Sequence, residues 1–229
     1  MKEIFSRLAK ISFPGTDTLI ANFCILAFSY GQFKSARTRM SVDALGRELP
    51  WYTYPAIAYL ESFNFKNCNV FEFGSGNSSF WWAKKARHVI SIEDNLDWFK
   101  IVDKKKKKNQ LIIHQSDKVG YVNAIKVQKK LFEIIVIDGN WRLDCTKMAI
   151  RHLKNHGVII LDNSDRKQEL TCGKILRENG FFQIDFSGFG PINGYCWSTS
   201  LFMKNSQSLQ DNFTGPSPIG GLNNYKTAV

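Results

Sequence analysis

The residues best equipped for chemistry lie where an apolar run gives way to acids and small residues. In Val70-Phe-Glu-Phe-Gly-Ser-Gly-Asn-Ser-Ser79 a strand-like run contains an acid, a Gly-x-Gly turn follows, and small polar residues open a helix. Glycines at such a turn let the backbone approach a ligand and adopt positive φ, while Asn77 and Ser78 can cap the helix. The third glycine of a dinucleotide fingerprint is missing, because Ser79 holds its position, and Glu72 stands two residues ahead of Gly74. Both features point away from a pyrophosphate and toward a ligand that carries positive charge. The next strand-like run ends in Ser91-Ile-Glu-Asp94, which puts Glu93 17 residues beyond Gly76. An acid at that place can accept hydrogen bonds from ribose hydroxyls. Asp117, after a third run, is positioned to meet an adenine edge.

A second group bears on reaction type. Val136-Ile-Asp-Gly139 and Ile160-Leu-Asp-Asn163 end two further runs, so neighbouring strands would bring Asp138, Asp162 and Asn163 to one rim. Three hard oxygen donors with open positions suit Mg²⁺ or a similar ion. His152 and His156 share a helical face but have no third ligand in view, and they read as an exposed pair. Aromatics of the segment Gly188-Phe-Gly-Pro191, with Tyr195 and Trp197, would overhang the glycine turn.

The elements that must hold these residues follow from periodicity. Strands are expected at 68–73, 89–93, 111–114, 132–137, 158–161, 182–186 and 196–203, and helices at 79–86, 96–103, 119–129, 144–155 and 167–179. Gly157 and Gly180 are expected to stop helices. This alternation specifies an α/β fold, a Rossmann-like three-layer sandwich with a seven-stranded, mostly parallel sheet. The loop 187–194 is too short for a helical crossover, so the last two strands should form an antiparallel C-terminal hairpin. Upstream, Thr53 or Tyr54 precedes Pro55, which opens a helix running to about Phe63. Leu19, Phe23, Leu26 and Tyr30 fall at helical spacing and predict an amphipathic helix packed on the domain or lying on a surface. The organisation expected is an N-terminal helical extension (1–48), one α/β domain (49–204) and a flexible polar tail (205–229).

On the glycine turn with its leading acid, on Glu93, and on the aromatic stretch Pro50-Trp-Tyr-Thr-Tyr-Pro55, residues 49–203 resemble the class I S-adenosylmethionine-dependent methyltransferases. That resemblance implies S-adenosylmethionine as cofactor, whose ammonium and sulfonium an acid suits. It implies cofactor contacts from Glu72, Gly74, Ser75, Gly76, Asn77, Ser78, Glu93, Asp117 and Asp138, with Tyr54 as a further contact. It also implies methyl transfer with Asp138 as a catalytic residue. Asp138 with Asp162-Asn163 is similar to the metal ligands of catechol-type O-methyltransferases, although Trp141 and Arg142 stand where those enzymes carry a lysine base. Arginine stays protonated and cannot replace that base. No Asn-Pro-Pro-Tyr motif follows the fourth strand, which favours oxygen acceptors on a small molecule or glycan over nucleobase nitrogens.

Bulk properties narrow the field less. The net charge of +11 includes the run Lys104–Lys108, a solvated connection by its self-repulsion. A basic surface attracts polyanions without choosing one, so nucleic acid stays open as a partner. Five widely spaced cysteines form no C-x-x-C, and most of them read as small core hydrophobes in a reducing cytoplasm. The longest apolar stretch, twelve residues from Leu19, is too short to span a bilayer. Two rivals remain: a nucleotide- or NAD-binding oxidoreductase on a similar sheet, and a catalytically inactive basic RNA-binding protein.

Overall fold

The computed structural model describes residues 14–205 and 213–220. Its centre is a seven-stranded sheet of order β3-β2-β1-β4-β5-β7-β6. The strands are β1 (Asn69–Phe73), β2 (His88–Glu93), β3 (Gln110–His114), β4 (Phe132–Ile137), β5 (Leu153–Asp162), β6 (Phe182–Gly188) and β7 (Trp197–Met203). β1 to β5 pair in parallel, while β7 runs antiparallel between β5 and β6. Helices α1 (Thr16–Cys24), α2 (Gln32–Thr38) and α3 (Tyr54–Glu61) precede the sheet. The crossovers are α4 (Asn77–Lys85), α5 (Leu96–Lys105), α6 (Lys118–Val127), α7 (Arg142–His152) and α8 (Lys167–Glu178).

Alternation along the strands divides the core into two layers, as a sheet covered on both faces requires. Val70, Val136, Ile160 and Leu201 face Tyr52, Leu60, Trp81 and Trp82 of the α3/α4 side. Phe71, Phe73, Ile137, Leu161 and Phe202 face Tyr121, Ile125, Cys145 and Leu176 of the α6/α7/α8 side. Glu72 shares the parity of Val70 and therefore points toward the N-terminus of α4.

Three boundaries differ from expectation for physical reasons. α7 stops at His152 and β5 starts at once, so Gly157 lies inside a strand; a Cβ there would meet the Leu153 side chain at 2.6 Å. His156 consequently stands on β5 and not beside His152 on a helix. α1 continues through a π-helical turn, Ile25–Ser29, which breaks the regular spacing: Leu26 and Tyr30 pack on the core, whereas Leu19 and Phe23 are exposed. Of the polar tail, residues 213–220 return to the domain, where the Thr214 amide and hydroxyl both donate to the Ser62 carbonyl and the Phe213 ring meets Phe63. The remainder of the expected tail, beyond Asn205, lies outside the described residues. The N-terminal extension is tied to the domain by Asn77 Nδ2 donating to the Ser41 carbonyl and by Gln32 Nε2 donating to the Gly190 carbonyl.

Candidate active site

The C-terminal edge of β1, β2 and β4 forms a cavity of about 330 Å³. Glu72, Gly74, Ser75, Ser78, Glu93, Asp94, Trp98, Asp138, Gly139, Asn140 and Arg142 line it. Its floor is two backbones in contact. A Cβ on Gly74 (φ 107°) would come 3.1 Å from the Gly139 nitrogen, and one on Gly139 would come 2.9 Å from the Gly74 nitrogen and 2.0 Å from the Tyr121 hydroxyl. The turn is closed by the Gly76 amide donating to Ser79 Oγ at 3.1 Å. Ser75 Oγ donates to Glu93 at 2.7 Å, and Trp98 Nε1 donates to the Ser75 carbonyl at 2.8 Å.

The acids differ in environment. Glu72 is buried and accepts a hydrogen bond from Ser91 Oγ at 2.7 Å. Burial pushes its carboxyl up to about 7, against the serine hydroxyls that favour the charged form. Burial also raises Glu93, less the opposing help of Ser75 and the Asn95 amide. Asp138 is raised by burial, with the Arg142 and Arg166 charges pulling the other way.

Glu72, Gly74, Ser75, Ser78, Glu93 and Asp138 therefore converge, as the sequence led one to expect, with Gly76 at the turn. Other candidates stand elsewhere. Asp117 caps α6 by accepting from the Gly120 amide at 2.8 Å and does not line the cavity. Asn77 is turned to Ser41. Tyr54 packs its ring at a tilt against Tyr30 and lines a separate cavity with Ile57 and Trp81; Thr53 is the N-cap of α3. Tyr52 was the residue to notice in that stretch. It is fully buried beneath the rim, accepts from Trp82 Nε1, and is kept protonated by burial and by the charge of Glu72. Trp98 was likewise missed, since one aromatic in an amphipathic helix carries no signal of its own.

The proposed metal ligands do not fit an ion. The Asp162 carboxylate is turned away from the rim into the sheet, where Trp197 Nε1 and Thr199 Oγ1 both donate to Oδ1. Trp197 is thus a buried partner of Asp162 and does not overhang the turn. The space between Asp138 and Asn163 is taken by the Arg142 guanidinium. Its Nη2 lies 3.2 Å from Asp138 Oδ1 and 3.4 Å from Asn163 Oδ1, its Nη1 donates to the Asp162 carbonyl, and its Nε donates to the Gly139 carbonyl. A fixed side-chain cation occupies the position that a divalent ion would need. Among the described residues no group of three His, Cys, Asp or Glu is arranged to hold a metal.

A second cavity, about 580 Å³, adjoins the first and shares Gly139, Asn140 and Arg142 with it. Lys118, Trp141, Asp144, Arg166, Gln168 and Thr171 contribute to its wall.

No protein-family model matches the sequence, and no curated protein matches it. Solved structures do match the fold. A precorrin-6y C5,15-methyltransferase from Geobacter metallireducens GS-15 superposes with TM-score 0.52 at 14% identity, over 66% of this chain and 87% of that one. An rRNA methylase from Streptococcus thermophilus superposes with TM-score 0.50 at 12% identity, over 66% and 97% respectively. Together with the strand order and the antiparallel β7, these likenesses establish that the chain has the Rossmann-like fold of the class I S-adenosylmethionine-dependent methyltransferases.

Proposed function

We propose that the protein is an S-adenosylmethionine-dependent methyltransferase that methylates a hydroxyl of a small molecule or glycan. The observation that carries the proposal is the charge of the turn cavity. Its wall holds Glu72, Glu93, Asp94 and Asp138, and its single cation, Arg142, is paired to Asp138. Such a wall favours an ammonium and a sulfonium and disfavours a pyrophosphate. That, with the missing third glycine, argues against NAD or another dinucleotide.

Glu72 receives the cofactor ammonium, Glu93 the ribose hydroxyls, and the Gly74–Gly76 backbone allows close approach. The bound cofactor supplies a methyl group on a positive sulfur, and its transfer needs in-line alignment and exclusion of water more than charge stabilisation. Asp138 is the proton acceptor for the hydroxyl. Burial raises its pKa, which makes the carboxylate a stronger base than a solvated one, and Arg142 fixes its orientation. The larger cavity receives the acceptor. Its polar lining (Asn140, Gln168, Thr171, Lys118 and Arg166) supports a hydroxylated substrate over an apolar one.

Titration calorimetry provides the test: S-adenosylmethionine should bind and NAD should not. Turnover with a hydroxylated acceptor and labelled cofactor should persist in excess chelator, because Arg142 stands where an ion would sit. Binding of NAD alone would overturn the proposal.

A further inference from the structure

The N-terminal helices present an apolar face that the domain does not use. Leu26, Ala27 and Tyr30 anchor this segment on the core. On the other side Leu19, Ile20, Phe23, Phe28 and Phe33 are between 55% and 69% exposed. The three phenylalanines are spaced five residues apart, which would scatter them around a regular α-helix. The π-helical turn Ile25–Ser29 and the left-handed Gly31 (φ 81°) bring them together instead, with ring centroids 6.2 Å apart for Phe23–Phe28 and 6.1 Å for Phe28–Phe33. Gly31 cannot be replaced without clash, since a Cβ would lie 2.4 Å from the backbone at Asp43 and Ala44. The start of α2, which carries Phe33, is therefore packed against the 43–44 backbone.

Charge accompanies the ladder. Lys34, Arg37 and Arg39 follow Phe33 in the chain and are exposed; Lys34 Nζ donates to the Ala44 carbonyl at 3.4 Å, and none of the three has a carboxylate partner among the described residues. Arg37 falls four residues after Phe33, on the same face of α2. Aromatic residues on one face bordered by Lys and Arg are the composition of helices that lie in the plane of a membrane interface. No helix among the described residues is long and apolar enough to cross a membrane, so the segment would lie on a bilayer and not through it.

We propose that this face docks on an anionic phospholipid surface. Phe23, Phe28 and Phe33 enter the headgroup boundary, and Lys34, Arg37 and Arg39 contact lipid phosphates. The inference stands on the α1–α2 segment and is independent of the methyl-transfer reading. Flotation of the full-length protein with vesicles of phosphatidylcholine alone, or with 40% phosphatidylglycerol, tests it. The wild type should float with anionic vesicles in low salt, be released in high salt, and stay behind with phosphatidylcholine. Lys34→Gln/Arg37→Gln/Arg39→Gln should lower the partition coefficient roughly 100-fold, as three lost cations near an anionic surface require. Phe23→Ser/Phe28→Ser/Phe33→Ser should lower it at least 10-fold, with melting temperature unchanged. Absence of wild-type flotation overturns the proposal. So does a wild-type dimer that the phenylalanine variant converts to monomer without any vesicle binding, which would make the occupant a second copy of this chain. If the phenylalanine variant unfolds, the charge variant and the salt release decide the matter.

Discussion

Glu72 faces two conflicting demands. It must be ionised to hold a cation, yet it is buried on β1 with its pKa pushed up to about 7. Below that pH the carboxyl is protonated, so affinity for S-adenosylmethionine should rise as pH increases from 6 to 8. Glu72→Gln should bind weakly with a flat profile, and calorimetry at several pH values measures both. Stability should run the other way. The folded protein retains this proton to higher pH than the unfolded chain, whose carboxyl titrates near 4.5. The stabilising effect of the neutral form is fully present below pH 4.5 and is lost as pH passes about 7, a change on the order of 3 kcal/mol. Denaturant melts should record that slope in the wild type and a shallower one in Glu72→Gln; equal slopes would remove Glu72 as the titrating group. Glu93 makes a different contribution, since Ser75 and the Asn95 amide already orient it. Glu93→Ala should fold and should weaken cofactor binding by about 1–3 kcal/mol, the cost of a lost charged acceptor. Unchanged affinity in the folded variant would contradict the ribose assignment.

At the scale of elements, the site depends on how closely β1 and β4 bring their following turns. Gly74 and Gly139 touch through backbone atoms, and Tyr121 of α6 packs over Gly139 with its hydroxyl buried and without a partner among the described residues. A methyl group on Gly139 cannot be accommodated by a side-chain shift alone, because the Gly74 nitrogen is backbone. Gly139→Ala should therefore cost roughly 2–4 kcal/mol of stability, in the range of overpacked and strained cores, and abolish cofactor binding. Tyr121→Phe removes an unsatisfied polar atom and should be neutral or stabilising by about 1 kcal/mol. Adding it to Gly139→Ala should recover only part of the loss. Full recovery in the double variant would mean that the Tyr121 hydroxyl, not the β1 turn, sets the limit.

At the scale of the whole molecule, the longest run of positive charge lies away from the acidic cavity. Lys104 and Lys105 end α5 and Lys106–Lys108 continue into an exposed turn, outside both cavities at the sheet edge. Replacing all five by Gln should leave cofactor affinity unchanged and reduce the salt dependence of any binding to polyanions. A lost cofactor site in the folded variant would show that long-range charge contributes to the cavity. Much of this architecture was legible beforehand. The parallel strands, the crossover helices and the terminal hairpin follow from alternation and loop length, because a period of 2 or 3.6 is a local property of the chain. The acid–glycine–acid order was legible for the same reason: Glu72 and Glu93 stand in the last two positions of β1 and β2, and the glycines follow β1 directly. What local pattern could not supply was where side chains turn once strands are side by side. Asp162 and Asn163 looked like ligands because they stand at the end of β5 and just beyond it, but the donors that claim Asp162 lie 35 and 37 residues away on β7, and the cation beside Asn163 comes from α7. Tyr52, Trp98 and the Phe23–Phe28–Phe33 ladder were hidden for a related reason: their meaning comes from contacts across elements, or from a π-helical turn that breaks the period by which helices are read. The sequence by itself determined which residues end strands and which form turns. Only the tertiary structure decided which of those strand-end groups face ligand, which face sheet, and that a guanidinium fills the gap between them, since burial and long-range hydrogen bonds exist only after the sheet has closed.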